Sequence, residues 1–278
     1  MDTYMVVGNP IAQSKSPLIH TMFAAQTEQQ LEYSRQLLEP GEFDAAAKTF
    51  FAGQGKGINI TMPFKQDAYN FADELSPRAL SAGAVNTLIK REDGSILGEN
   101  TDGVGLINDI TDNLNWTLSG RKVLIIGAGG AVGGILLPLM EQNPAEVLIV
   151  NRTASKAEEL AARFASMGNI RGAGYGELSA AEGGSCSAFD VIINGTSTSL
   201  TGDLPPIPPA VITNTSCVYD MVYGTEPTPF MVWAQNHGAA ATADGLGMLV
   251  GQAAESFYLW RGIRPDIAPV MAALRHSR

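Results

Sequence analysis

The stretch that most limits what this chain can fold into is Val123–Gly134, VLIIGAGGAVGG. Lys122 leads into Val123, Leu124, Ile125 and Ile126, an unbroken apolar run of the kind that forms a buried parallel strand. Gly127, Gly129 and Gly130 follow at once, and a second apolar run, Ile135-Leu136-Leu137, reads as a helix. Strand, glycine turn and helix together open a dinucleotide-binding unit. The glycines permit a tight turn and let a pyrophosphate approach the backbone. The helix N-terminus then offers unpaired N–H groups and a partial positive charge. The spacing departs from G-x-G-x-x-G/A, because Val132 occupies the third position and Gly133 and Gly134 follow it. Val123–Met140 also runs 18 residues without a charge, as a membrane span would. Its five glycines and Pro138 suit a loop and a short helix instead.

The next strand chooses the nucleotide. Glu146–Val150 ends in Asn151-Arg152-Thr153, about 20 residues past the glycines, where an NAD reader carries an acid for the ribose 2′-hydroxyl. No acid stands there. Arg152, with Lys156 one turn later, makes a cationic socket suited to a 2′-phosphate, and Arg also stacks on adenine. NADP is the expected cofactor. Thr153 is placed to N-cap the following helix with the same hydroxyl facing the phosphate. Strands are expected near 121–126, 146–150, 169–173, 189–193, 216–220 and 239–243, and helices near 131–142, 154–167 and 228–237. Further helices from Leu246 through Trp260 and over 266–275 exceed what a six-stranded unit needs.

The first hundred residues read as a separate α/β unit. Strands are expected at Tyr4–Val7, Glu32–Leu38, Gly57–Ile60 and Ala84–Lys90, the last joined through an Asp-Gly hairpin to Ile96–Gly98. Helices are expected at Pro17–Gln26, with Ser16 as N-cap, at Phe43–Phe51, from Lys65 to about Asp73, and from Gly103 to about Asn113. Ser14, Ser16, Asn59, Thr61, Lys65, Asn86 and Asp102 lie in or just beyond apolar strands. Ligands of open α/β sheets sit outside the carboxyl ends of the strands. Hydroxyls, amides, one ammonium and one carboxylate placed there suit a small polyhydroxylated acid. The expected architecture is α/β with two domains. Residues 1–101 form an α/β substrate domain, on which helices in 246–278 pack back, and 102–245 form a Rossmann-like doubly wound NADP-binding domain.

The formal net charge of −10 argues against broad nucleic-acid binding, which needs a basic face. Neither the three histidines, His20, His237 and His276, nor the two cysteines, Cys186 and Cys217, are spaced as a metal site or a disulfide framework. No metal is expected. The N-terminus lacks the basic and apolar regions of a signal peptide, so a cytoplasmic protein without a membrane partner is expected, as a monomer or homodimer.

The motifs GNPIAQSKSP, NITMPFK, AGAVNT, NTDG, GAGGA, NRT, YDMVY and ADGLGMLVGQ occur here in the order found in shikimate dehydrogenases, and the resemblance runs from Gly8 to Pro265. It is similar to the NADP-dependent, biosynthetic branch of that family. The resemblance implies reversible reduction of 3-dehydroshikimate to shikimate, on the way to chorismate and aromatic amino acids. It implies that Ser14 and Ser16 hold the substrate carboxylate, aided by Thr61 and Tyr223, and that Lys65 and Asp102 are the catalytic pair. Asn86 and Gln252 would bind ring hydroxyls, with Asn59 also among the substrate residues. Gly127, Ala128, Gly129, Gly130 and Ala131 would bind pyrophosphate. Asn151, Arg152, Thr153 and Lys156 would face the 2′-phosphate, and Met221 and Gly245 the nicotinamide. Gln13 stands where a His is common, Ala131-Val132 where many members have Ala-Ser or Ser-Arg, and Pro77 where an acid is frequent.

The chemistry agrees with the residues independently. Hydride arriving at a ketone leaves an alkoxide, which an ammonium stabilises and protonates; the reverse reaction needs the neutral amine as base. A carboxylate nearby holds that lysine in place. Two alternatives stay open at this point: a quinate/shikimate dehydrogenase of broader substrate and cofactor use, and a non-catalytic sensor of shikimate and NADP.

Overall fold

The computed structural model describes residues 1–178 and 188–276, so Cys186 lies outside the described residues. In chain order the elements are β1 (Asp2–Gly8), α1 (Ser16–Gln26), β2 (Leu31–Leu37), α2 (Phe43–Ala52), β3 (Gly55–Ile60), α3 (Lys65–Phe71), β4 (Glu74–Leu75), α4 (Pro77–Ala82), β5 (Thr87–Lys90), β6 (Ile96–Glu99) and α5 (Asp102–Asn108). Then follow β7 (Lys122–Ile126), α6 (Gly130–Met140), β8 (Glu146–Asn151), α7 (Ala154–Ala162), β9 (Ile170–Gly174), β10 (Val191–Asn194), α8 (Thr198–Thr201), β11 (Cys217–Asp220), α9 (Pro229–Asn236), β12 (Ala241–Asp244), α10 (Leu246–Arg261) and α11 (Ala268–His276). The chain divides into two compact units, Met1–Gly105 with Leu249–Arg278, and Leu106–Met248.

The first unit carries a sheet of order β2-β1-β3-β5-β6-β4. β1 is parallel to β2 and β3, whereas β5 is antiparallel to β3 and β6. Side chains alternate across a strand, so its two faces meet different partners. Met5, Val7, Ile58, Ile60 and Leu88 pack with Phe43, Phe51 and Phe64. On the other face an aromatic layer forms, with Tyr4 against Trp260 at 4.7 Å and His20 stacked on Tyr33 at 4.3 Å. Trp260 reaches that face because residue 57 is glycine: a Cβ there would lie 2.2 Å from the indole nitrogen. The indole N–H donates to the Leu88 carbonyl at 3.1 Å, which ties α10 to the sheet.

The second unit holds six strands in the order β12-β11-β10-β7-β8-β9, all parallel. This is the doubly wound order, and it reverses between β7 and β10, where such sheets bind their ligands. Val123, Ile125, Val147, Ile149, Val191 and Ile193 face one core; Leu124, Ile126, Leu148, Val150, Ile192 and Val218 face the other. A sheet covered on both sides explains why its strands read as unbroken apolar runs.

Several boundaries and caps differ from the sequence reading. Ser16 is the first residue of α1 and not its cap; the Ser14 hydroxyl accepts the Ser16 N–H at 3.3 Å. Thr153 stands at the N-cap of α7, but its side chain caps nothing. α7 ends at Ala162, because the chain tightens into turns such as Phe164 N–H to Ala161 O. β5 starts at Thr87 rather than Ala84. β4 and α4 have no counterpart in the sequence reading. The helix after Gly103 is α5 followed by a π turn, Asp109–Asn113. Among the described residues no helix is long and apolar enough to cross a membrane, α6 included.

Candidate active site

Strand register assembles the polar residues of the first unit. Asn59 pairs with Thr87, and Thr87 with Glu99, so the carboxyl ends of β3 and β6 lie beside the amino end of β5. β1 ends at the same edge, since Val7 pairs with Ile60. The connecting loops are stitched there by main-chain bonds: Asn9 N–H to Met62 O at 2.9 Å, Thr61 N–H to Val7 O at 3.0 Å, and Val85 N–H to Lys65 O at 3.0 Å. Residues just after β3, just before β5 and just after β6 therefore converge.

Lys65, first residue of α3, places Nζ 2.5 Å from Asp102 Oδ2. The lysine side chain is 27% exposed and the aspartate 12%, so the pair is sheltered without being sealed from solvent. The other carboxylate oxygen accepts from Asn86 Nδ2 at 2.7 Å, and the Asp102 N–H donates to Asn100 Oδ1 at 3.1 Å. Asp102 is thus held at both oxygens and at its backbone. The Asn86 oxygen accepts from Thr101 N–H and from Thr87 Oγ1, each at 2.9 Å. Gln252, half-buried on α10, lies beside this group: its Oε1 is 3.5 Å from Thr101 Oγ1, and its Nε2 donates to the Leu249 carbonyl at 2.9 Å.

Ser14 and Thr61 are half-buried on the loops after β1 and β3, and Ser16 is buried at the start of α1. Burial pushes the Tyr33 hydroxyl far above the ordinary tyrosine range, with the Ser16 hydroxyl opposing the shift. Asn59 is buried, and its amide is spent internally. Its oxygen accepts from Tyr33 OH at 2.7 Å, and its two protons go to Thr87 Oγ1 and Ser256 Oγ, both at 3.1 Å. Below it His20 is fully buried with neither ring nitrogen hydrogen-bonded, and desolvation lowers its pKa to about 3 against the opposing effect of Asn59.

The second unit forms a cradle at its switch point. Gly127 follows β7 at φ +107°, where a Cβ would meet the Gly195 backbone at 3.3 Å. Gly129 and Gly130 open α6, and a Cβ on either would meet nothing within 4 Å. Open space over a helix N-terminus fits a pyrophosphate. Asn151 ends β8 and donates its Nδ2 to the Thr153 carbonyl at 3.0 Å, bracing the turn that carries Arg152; Lys156 follows in the first turn of α7, and both are exposed. Among the described residues no group of three or more His, Cys, Asp or Glu is placed to hold a metal.

Met221 follows β11 with its N–H on the Asn194 carbonyl at 2.9 Å, and its sulfur would lie 3.2 Å from a Cβ at Gly195. Gly245 approaches so closely that a Cβ would stand 2.1 Å from the Met221 carbonyl oxygen. Tyr223 belongs to this unit and is 39% exposed; partial desolvation raises its hydroxyl above the ordinary value.

Comparison with known proteins decides what this geometry belongs to. A family model described as the shikimate dehydrogenase substrate binding domain matches residues 6–88, one described as shikimate / quinate 5-dehydrogenase matches 109–201, and one described as the shikimate 5′-dehydrogenase C-terminal domain matches 245–275. A shikimate dehydrogenase (NADP(+)) of Saccharophagus degradans is 99% identical over 100% of both chains. The chain belongs to the shikimate dehydrogenase family. A crystal structure of an enzyme from Pseudomonas putida is 45% identical, covers 99% of this chain and 98% of that one, and superposes with a TM-score of 0.91. Shikimate 5-dehydrogenase from Thermus thermophilus, crystallised with NADP(H) and shikimate, is 29% identical over 100% of both chains with a TM-score of 0.86.

The motifs that mark a shikimate dehydrogenase now have places in the fold. SKSP opens α1, NITMPFK closes β3 and opens α3, AGAVNT enters β5, and NTDG joins β6 to α5. Sequence reasoning missed the residues that hold these motifs together. Ser256 follows Gln252 by four residues, so helical spacing puts both on one face of α10. α4 supplies Arg78, which donates to both oxygens of buried Glu99 at 3.0 Å and to Glu255 at 3.3 Å. Glu99 immediately precedes the Asn100–Asp102 loop and accepts the Asn100 N–H at 2.7 Å, so this ion cluster anchors the loop that carries Asp102. In the second unit, fully buried Asp220 accepts from Asn194, Ser199, Thr228 and the Val222 N–H.

Proposed function

We propose that the chain catalyses the reversible, NADPH-dependent reduction of 3-dehydroshikimate to shikimate, with Lys65 as the proton donor. The single observation that carries this reading is the Lys65–Asp102 pair at 2.5 Å, with Asn86 on the second carboxylate oxygen. NADPH, when bound, supplies the hydride to the ketone carbon. Lys65 donates a proton from Nζ to the carbonyl oxygen as it becomes a hydroxyl, and neutral Lys65 removes that proton in the oxidative direction. Asp102 aims the ammonium and keeps it in place.

Ser14, Ser16 and Thr61 offer hydroxyls to the substrate carboxylate, with Tyr223 aiding as the family motif assigns. The family motif assigns Asn86 and Gln252 to ring hydroxyls; within the chain Asn86 gives its amide protons to Asp102 Oδ1 and Thr101 Oγ1. Asn59, with both amide protons engaged inside the protein, supports these residues rather than touching the ring. The cradle Gly127–Ala131 fits the pyrophosphate, because its open glycines leave room that a side chain would fill. Asn151, Arg152, Thr153 and Lys156 receive the 2′-phosphate, and Met221 and Gly245 flank the nicotinamide. The absence of an acid after β8 supports NADP over NAD. The enzyme acts in the cytoplasm on small molecules, without nucleic acid, as a monomer or homodimer.

One assay tests the reading: NADP against NAD, and shikimate against quinate, in all four combinations. Fastest turnover is expected for shikimate with NADP. Equal rates with NAD or with quinate would replace the assignment by the broader quinate/shikimate activity. Binding of both ligands without turnover would make the chain a sensor.

A further inference from the structure

Ser256 lies on α10 and is fully buried. Its hydroxyl oxygen stands 3.1 Å from Asn59 Nδ2, 2.8 Å from Thr87 Oγ1, 3.2 Å from Thr101 Oγ1 and 3.0 Å from the Gln252 carbonyl. Four segments, β3, β5, the loop before α5, and α10 itself, meet at this one oxygen.

The protons of the cluster have little freedom. Asp102 as a carboxylate only accepts, so Asn86 must turn Nδ2 toward it. The Asn86 oxygen then needs donors, and two of them are the Thr101 N–H and the Thr87 hydroxyl. Thr87 has one proton. It is committed to Asn86 while the other neighbours of Thr87 Oγ1 donate into it. Those neighbours are Asn59 Nδ2 at 3.1 Å and Ser256 Oγ at 2.8 Å, whose single proton is shared between Thr87 Oγ1 and the Gln252 carbonyl. Asn59 is fixed in turn, because Tyr33 OH donates to its oxygen. Donors therefore run in one direction, from Tyr33 through Asn59, Thr87 and Asn86 to Asp102, and Ser256 is the junction that closes the chain onto α10.

We propose that Ser256 is a positioning residue for the reacting pair: its hydroxyl, lying between those of Thr87 and Thr101, holds in place the two side chains on which the Asn86 oxygen rests, and so keeps Asn86 where it holds Asp102 against Lys65. The inference rests on the reading of Lys65 and Asp102 as that pair. Ser256 is wholly enclosed by protein, so its effect passes through Asn86 rather than through contact with a ligand.

The test is Ser256→Ala, made alone and in a Lys65→Ala background, with kcat from steady-state turnover and shikimate affinity from calorimetry. Alone, Ser256→Ala is expected to lower kcat about tenfold, because a small misplacement at the reacting group is costly. Shikimate affinity should stay within about twofold. In the Lys65→Ala background the same substitution should take nothing further from the residual kcat. Normal kcat in folded Ser256→Ala overturns the inference, and so does a full tenfold loss in both backgrounds. Should Ser256→Ala not fold, Ser256→Cys keeps a side chain there and replaces the hydroxyl by a weak thiol donor: a selective kcat loss supports the inference and wild-type kcat refutes it. Failure of the underlying reading looks different, because Lys65→Ala alone would then keep near-normal turnover.

Discussion

Asp102 meets two donors at once: Lys65 Nζ lies 2.5 Å from one carboxylate oxygen and Asn86 Nδ2 lies 2.7 Å from the other. A carboxylate satisfies both, whereas an asparagine at 102 has one oxygen and one amino group. Asp102→Asn must set a donor against a donor, either at Lys65 or at Asn86. We expect kcat to fall by about 10- to 100-fold with little change in shape, since misplacing one group by an ångström has that scale of cost. Circular dichroism and steady-state kinetics on the same preparation check it; a variant with wild-type kcat shows that the carboxylate does not aim the lysine.

Lys65→Ala removes the proton donor while leaving Ser14, Ser16 and Thr61 in place. Turnover should drop by at least about a thousandfold, within the range that general acid–base groups contribute. The KM for shikimate should move far less. Rapid turnover in this variant would take Lys65 out of the mechanism.

The sequence shows the second unit clearly and the first only in part, for a physical reason. Strands buried on both faces, such as Lys122–Ile126 and Val191–Asn194, are apolar throughout and announce themselves. β4 has two residues, too few for any period, and α4 has six. Yet α4 carries a local signal: Ser76 caps it, accepting the Ala79 N–H, Pro77 opens it, and Gly83 closes it at φ +66°. Candidate site residues are legible as residue types at strand ends. Their connections are not, because the bond from Asn59 to Ser256 joins positions 197 apart in the chain. Only the folded register makes them neighbours. Ser16 illustrates the opposite error, where a hydroxyl before a proline looks like a cap and is instead the first buried residue of α1.

Glycines in the second unit separate into two kinds. At Gly245 a Cβ would overlap the Met221 carbonyl oxygen, and neither backbone can yield cheaply. Gly245→Ala should destabilise by about 1–3 kcal/mol, as overpacking does, and lower the melting temperature by a few degrees. At Gly129 a Cβ meets only open space and the backbone has φ −86°, which alanine adopts freely. Gly129→Ala should therefore melt like wild type but raise the KM for NADP about tenfold or more, because the methyl occupies the room left for pyrophosphate. Equal NADP kinetics in a folded Gly129→Ala variant would refute the cradle assignment.

Arg152 projects from the turn after β8 and is exposed. Its loss should be felt by NADP and not by NAD. Charge-assisted hydrogen bonds contribute about 1.5–3 kcal/mol, so Arg152→Ala should raise the KM for NADP by about 10- to 100-fold. The KM for NAD should hardly change, which narrows the preference between the two. Parallel losses with both cofactors would place Arg152 at the pyrophosphate or in the fold instead.

His20 adds a dependence on acid that the catalytic residues do not explain. Its imidazole is fully buried, stacked at 4.3 Å on Tyr33, and desolvation lowers its pKa to about 3. The unfolded chain takes up that proton near its ordinary value of about 6.5. Between the two values the unfolded state binds more protons, so the contribution to stability is complete above about pH 6.5 and is lost as pH falls toward 3. At pH 5 the loss amounts to about 2 kcal/mol. His20→Phe keeps a ring against Tyr33 and removes the titration. Urea unfolding near pH 7.5 and near pH 5 should therefore show wild type losing about 2 kcal/mol more than His20→Phe on acidification. Equal losses in the two proteins would mean that the buried ring takes up its proton without unfolding the layer beneath Asn59.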